Sequence, residues 1–197
     1  MTNPAWTRED QADLAVSRIF EAASQAFVEL GVSQTKMGDI ARYAGCSRGT
    51  LYNYFKSRRE LHVAYVSNSA DRIAERVQAK LDGLEEPREK FVEAVLCSVR
   101  EVRADPVLSA WFQVGESGLA ADLSLGSAGL DAIAEKFAAE LLGRSSGEKN
   151  KGKGSARLLA RWCVRIIVSL LTMPGENARE ERALVEDYAA VGIFRKP

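Results

Sequence analysis

Apolar residues recur at three- and four-residue steps along nearly the whole of this chain, a period that fits amphipathic helices and excludes alternating strands. Over 12–30 the set is Ala12, Ala15, Ile19, Ala22, Ala26, Phe27 and Leu30. Gly31 follows as a stop, because glycine accepts the left-handed conformation that closes a helix. A second, short helix is expected over 37–44, with Met37, Ile40, Ala41 and Ala44 on one face, and Gly45-Cys46-Ser47 breaks it. Ser47 is a good N-cap for a third over 48–55. Ser57 and Glu60 have capping-box spacing and open a long fourth helix to Leu81. A fifth over 87–104 begins at a proline and carries Phe91, Val95, Val99 and Val102 as its stripe. Asp105-Pro106 starts a shorter helix with Leu108, Trp111 and Phe112, and glycines break the stretch 115–129. Ile133, Phe137, Leu141 and Leu142 mark another helix. Residues 144–155, rich in Ser, Gly and Lys, read as a flexible linker. A strongly apolar helix over 156–173 and a last one over 179–192 complete the chain. No hairpin signal and no internal repeat appear, so the fold class is all-α.

Charge sharpens the picture. The 197 residues hold 27 basic and 27 acidic side chains, and a net charge of zero argues poorly for a nucleic-acid binder until its distribution is considered. Residues 1–35 are acidic on balance. Residues 36–62 carry Lys36, Arg42, Arg48, Lys56, Arg58 and Arg59 against Asp39 and Glu60 only. Positive charge is thus focused on the segment with two short helices and a tight turn. In such a pair the first helix crosses the DNA backbone and the second enters the major groove. The third helix offers side chains suited to that position: Arg48 for guanine, Asn53 for adenine, and the Thr50 methyl for thymine. Tyr52 and Tyr54 suit phosphates, and Gly49 removes a side chain where the helix comes close to DNA. Leu51 and Phe55 point the other way, into a small core. The candidate DNA-binding set is Thr35, Lys36, Arg42, Ser47, Arg48, Gly49, Thr50, Tyr52, Asn53, Tyr54 and Lys56.

The run from Met37 through Ser57, with its Ile40-Ala41, Ala44-Gly45-Cys46-Ser47-Arg48-Gly49-Thr50-Leu51-Tyr52 and Phe55, resembles the signature of the tetracycline-repressor (TetR) family, as do Ile19, Ala22, Ala23, Phe27 and Gly31 upstream. The likeness covers the first quarter to third of the chain. It departs at Lys36, where the family has a capping Ser or Thr, leaving Thr35 to cap; at Cys46, in place of a common Val; and at Arg58-Arg59. The resemblance implies an N-terminal three-helix helix-turn-helix domain, 1–56, and a C-terminal helical effector-binding and dimerisation domain, 57–197. It implies a homodimer on a palindromic operator in double-stranded DNA, joined through the last two helices of each subunit and released by a small-molecule effector. The helix over 156–173 agrees, having more apolar surface than one chain of this size needs to cover. The candidate interface is Leu159, Trp162, Ile166, Leu170, Leu184 and Tyr188; the candidate effector pocket is Tyr65, Phe91, Val95, Trp111, Phe112 and Trp162, with Arg103 and Arg165 as anchors for an acidic ligand.

Other chemistries have weaker support. Gly45-Cys46-Ser47-Arg48-Gly49 spells the G-x-S-x-G elbow of hydrolases, a remote alternative with Ser47 as nucleophile, but that elbow follows a strand and a helix is expected here. The stretch 147–153 nearly spells a phosphate loop and lacks the Ser or Thr that would hold magnesium. Cys46, Cys97 and Cys163 are too dispersed for zinc or a disulfide framework, which fits a reducing compartment. No secretory signal and no membrane span is evident, so the expectation is a cytoplasmic protein with no cofactor or metal and no enzymatic activity. A regulator of the same fold without a small-molecule trigger, an activator or one controlled by a protein partner, stays open.

Overall fold

The computed structural model describes residues 8–113, 127–145 and 152–194, and every described element is helical. They are α1 (Arg8–Leu30), α2 (Met37–Tyr43), α3 (Arg48–Tyr54), α4 (Arg58–Leu81), α5 (Pro87–Ala104), α6 (Pro106–Ala110), α7 (Ala128–Ser145), α8 (Gly152–Thr172) and α9 (Ala178–Ala183). A π-helical turn, Leu184–Ala189, and α10 (Val191–Phe194) follow. The chain forms two compact units, 1–65 and 66–197.

In the N-terminal unit, Gly31 (φ 84°) stops α1 and Gly45 (φ 65°) turns the chain between α2 and α3. The α2 end is a Schellman closure: the Cys46 N–H donates to the Ala41 carbonyl at 3.0 Å and the Gly45 N–H to that of Arg42 at 3.2 Å. Ile19, Ala23, Ala26 and Phe27 of α1 pack with Ile40 and Ala41 of α2, Leu51 and Phe55 around α3, and Leu61, His62 and Tyr65 of α4, all buried. Phe27 stands edge-on to Tyr65 at 5.4 Å, and Phe20 edge-on to Tyr65 at 5.6 Å. Burying each of the larger side chains stabilises by about 1.5–3 kcal/mol. The Tyr65 hydroxyl lies 2.8 Å from that of Ser24, which satisfies the polar end of an otherwise apolar contact.

In the second unit α5 is central. Beyond the stripe of Phe91, Val95, Val99 and Val102, its Val92, Ala94, Leu96 and Cys97 are also buried, so it is covered on several sides. Prolines at the first turns of α5 and α6 and side-chain caps from Glu86, Asp105 and Asn177 place the helix starts. Arg103 sends both guanidinium nitrogens to Glu181, at 2.9 and 2.7 Å, and one also to the Leu170 carbonyl at 2.8 Å. Glu181 accepts the Gly175 N–H at 3.0 Å as well. This fork ties α5 to the end of α8 and the start of α9, and the Arg103 hydrogen bonds hold the Glu181 carboxyl below the usual range.

Two expectations are corrected. The linker expected over 144–155 is helical at both ends, since α7 runs to Ser145 and α8 starts at Gly152; residues 146–151, which include most of the phosphate-loop look-alike, lie outside the described residues. The glycine-broken stretch 115–129 also falls mostly outside them, and its last residues already belong to α7. The final helix is not uniform. At the π turn the Ala190 N–H reaches back to the Val185 carbonyl at 2.9 Å, and this wider turn rotates the register. Val185, Ala189 and Ala190 are buried, while Leu184 and Tyr188, named as candidate interface residues, are 43% and 76% exposed in the subunit.

Candidate nucleic-acid interface and interior cavity

The outer face of α3 is set by its cap and its one buried side chain. Ser47 accepts the Thr50 N–H at 3.0 Å, and the two hydroxyls lie 2.9 Å apart. Leu51 is fully buried, so helical geometry turns Arg48, Gly49, Thr50, Tyr52 and Asn53 outward, all exposed, with Tyr54 at the edge. A Cβ at Gly49 would meet only Ser47 Oγ, at 3.7 Å, an ordinary contact. The absence of a side chain there therefore answers no need within the subunit. The Lys56 ammonium donates to the carbonyls of Tyr52 and Asn53 at 3.2 and 3.4 Å, closing the C-terminal end of α3. Ser57 caps α4 through the Glu60 N–H at 3.1 Å, and the Glu60 carboxylate accepts the Lys56 N–H at 2.7 Å.

Around α2, the Asp39 carboxylate accepts the Lys36 N–H at 3.0 Å, which keeps its pKa below the ordinary value. Asp39 thus does part of the capping that a Ser or Thr does elsewhere. Arg42 is exposed, 3.4 Å from Asp39 and stacked 4.9 Å over the Tyr43 ring. The Tyr43 hydroxyl donates to Glu29, and that bond raises its pKa. Among the described residues no ion pair engages Lys36 or Arg48.

One sequence assignment fails here. Thr35 is fully buried, and its hydroxyl donates to the carbonyls of Ala26 at 3.1 Å and Gly31 at 2.7 Å, so it neither reaches DNA nor caps α2. Arg58 is also engaged inside the subunit: its guanidinium donates to the carbonyls of Ser33 at 2.7 Å and Thr35 at 3.3 Å. Burial, with the Arg58 charge adding to it, pushes the His62 pKa down to about 4. Ser47 follows a helix rather than a strand, and its hydroxyl accepts the cap bond; a nucleophile elbow has neither feature.

The second unit encloses a cavity of about 780 Å³ between α4, α5, α6, α7 and α8, within the range of small-molecule sites. Of the pocket residues read from sequence, Val95, Trp111 and Phe112 line it. Tyr65, Phe91 and Trp162 do not. Tyr65 belongs to the N-terminal core, Phe91 packs against Phe194 at 5.9 Å, and Trp162 is 45% exposed with its indole donating to the Ala189 carbonyl at 3.3 Å. Arg103, forked on Glu181, and Arg165 are not among the lining residues either. Ile73, Phe137, Ile167 and Cys163 were missed; each sits on a stripe that sequence reads simply as core. Burial pushes the Cys163 thiol up to about 12, which makes it a poor nucleophile.

The outer faces of α8 and the π turn carry exposed apolar side chains: Leu158 at 70%, Trp162, Leu184 and Tyr188. Of the interface residues read from sequence, Leu159 and Leu170 are buried within the subunit and Ile166 is half-buried. The exposed Leu158 lies one residue, about 100° of helix, from the stripe chosen from sequence. No helix among the described residues is long and apolar enough to cross a membrane.

Comparison with known proteins follows this geometry. Residues 19–65 match the family model described as bacterial regulatory proteins, tetR family. The chain is 32% identical over 188 residues to the HTH-type transcriptional regulator Rv1255c of Mycobacterium tuberculosis, covering 95% of this chain and 90% of that one. Among solved structures it is similar to a TetR transcriptional regulator from Rhodococcus sp. RHA1, with a TM-score of 0.66, 20% identity, and coverage of 96% and 99%. It is also similar to Thermus thermophilus FadR, a repressor solved in complex with lauroyl-CoA, with a TM-score of 0.64, 20% identity, and coverage of 92% and 96%.

Proposed function

The chain belongs to the TetR family of bacterial regulatory proteins and is a helix-turn-helix transcriptional regulator, and from that premise we propose that it is a homodimeric repressor released from a palindromic operator by a small molecule. The observation that carries the DNA half is the outer face of α3, where Arg48, Thr50, Tyr52 and Asn53 stand exposed around a glycine that nothing within the subunit requires. In this reading α3 lies in the major groove, Arg48 and Asn53 read base edges, and Lys36, Arg42, Tyr54 and Lys56 serve the phosphate backbone. The release half is supported by the cavity and by the likeness to a repressor solved with lauroyl-CoA. The dimer is supported by the exposed apolar side chains Leu158, Trp162, Leu184 and Tyr188 on α8 and the π turn, since exposed apolar surface of this kind is typical of protein contacts. We place the protein in the cytoplasm, where its DNA is.

The test is selection from a random duplex library by the purified protein, followed by anisotropy titration across salt. An inverted repeat bound with steeply salt-dependent affinity is expected. Asn53→Ala should relax preference at one base position, whereas Lys56→Ala should weaken all sequences alike and flatten the salt slope. Operator binding untouched by both changes would refute the assignment of α3.

A further inference from the structure

The interior cavity has a charge pattern that its shape does not demand. Among the described residues, its charged lining residues are Asp71, Glu75, Asp82, Lys136 and Glu140: four carboxylates, one ammonium and no guanidinium. All five are exposed, which puts them at the opening, while the deeper wall of Val77, Val95, Leu108 and Trp111 is buried and apolar. Asp71, Glu75 and Asp82 follow one another along a single face of α4 and the residue after it, with Gln78 between them in the same lining. Lys136 and Glu140 stand one turn apart on α7.

Such an opening discriminates by charge. A carboxylate or phosphate head brought to it would shed water, find no arginine fork, and face a surplus of like charge across a short, poorly screened distance. Among the described residues, the nearby guanidiniums of Arg103 and Arg76 are engaged elsewhere, Arg103 by Glu181 and the Leu170 carbonyl and Arg76 by Glu101, while Arg72 donates to the Ser69 hydroxyl. A positive head meets the opposite field. The half-buried rings of Phe112 and Phe137 in the lining add aromatic faces that attract cations.

Resting on the reading of this cavity as the effector site, we propose that the effector is a lipophilic cation, with an apolar body filling the cavity and an ammonium-type head at the opening lined by Asp71, Glu75 and Asp82. Near a protein surface each carboxylate within several ångströms changes the affinity of a univalent head by roughly two- to fivefold. A cation and an anion of equal shape should therefore differ at least about tenfold at low salt.

The experiment is calorimetric titration of the full-length protein with decyltrimethylammonium, decanol and decanoate, each below its micelle concentration. The cation should bind most tightly, the alcohol next and the carboxylate least, and added salt should narrow the spread. The triple variant D71N/E75Q/D82N alters exposed side chains at nearly constant shape. It should abolish the preference for the cation while leaving decanol binding unchanged. Decanoate binding as tightly as the cation, or a preference that survives the triple variant, overturns the cationic assignment while decanol still attests an effector cavity. Failure of decanol to bind, or equal binding by Ala134→Phe, which fills the cavity from α7, overturns the effector site itself and the proposal with it.

Discussion

Replacing Gly49 by alanine should raise stability and weaken operator binding, two effects of opposite sign from one methyl group. In the free subunit the new Cβ fits: its only neighbour is Ser47 Oγ at 3.7 Å, and the residue lies within α3 with no positive φ. Glycine inside a helix costs about 0.5–1 kcal/mol relative to alanine. At the second position of a seven-residue helix the lower end applies, so the gain is about 0.5 kcal/mol, and melting should rise by roughly 1–2 °C. On DNA the same methyl stands between the helix and the groove. It holds Arg48 and Thr50 away from the base edges, and a good bidentate base contact is worth about 1–3 kcal/mol. A ten- to hundredfold loss of affinity follows. The assay pairs thermal denaturation with anisotropy on the operator selected by the wild-type protein, at one fixed salt concentration. An alanine variant that melts higher and binds the operator as the wild type does would show that the Gly49 side of α3 does not face DNA.

Other perturbations separate the remaining roles. Tyr188→Glu places a charge on the exposed apolar patch and should yield a monomer by sedimentation with the fold intact, whereas Leu159→Ala, at a position buried within the subunit, should cost about 2–4 kcal/mol in denaturant unfolding. Arg103→Met leaves the buried Glu181 carboxylate without its fork; the loss should be about 2 kcal/mol, below that of a fully buried pair because the Arg103 side chain is 38% exposed, and Arg103→Met/Glu181→Gln should recover part of it. His62 is neutral in the fold, with its pKa lowered by burial and by Arg58 from 6.5 to about 4. Its contribution to stability is complete above about pH 6.5 and is lost as pH falls towards 4, by roughly 3 kcal/mol in all. Urea unfolding of His62→Leu across that window should show a flatter pH slope; an unchanged slope would shift the acid sensitivity to other groups.

Much of this architecture was legible because local rules decided it. Ser47, Ser57, Asp105 and the two prolines mark helix starts by hydrogen bonding and by fixed φ, and Gly31 and Gly45 mark stops, so most boundaries fall within a few residues of expectation. The α3 face was legible for the same reason, since a single buried Leu51 in a short helix fixes which side remains outside. Where two helices or more share the decision, sequence fell short. Helix α8 is apolar on most of its circumference, and periodicity could not tell the stripe of Leu159 and Cys163 from the outward one of Leu158 and Trp162. The cavity draws on five helices, so its lining depends on tertiary placement that aromatic content does not report. Arg103 looked like a ligand anchor because its partner Glu181 lies 78 residues away and on another helix. Thr35 looked like a cap because its hydroxyl's real acceptors, on Ala26 and Gly31, precede it in the chain.

If the proposed dimer joins through Leu184 and Tyr188, the π turn at Leu184–Ala189 has a bearing on which chains can pair. One extra residue in that turn sets the helix before it and the helix after it about 100° out of phase. A paralogue without that residue would turn a different set of side chains outward from an otherwise similar helix. Its patch would not mesh with Leu184 and Tyr188 of this chain, even where the two sequences agree at most positions. A cell holding several such regulators could then keep their subunits from mixing through the length of one helical turn, with no change in the chemistry of the surfaces themselves.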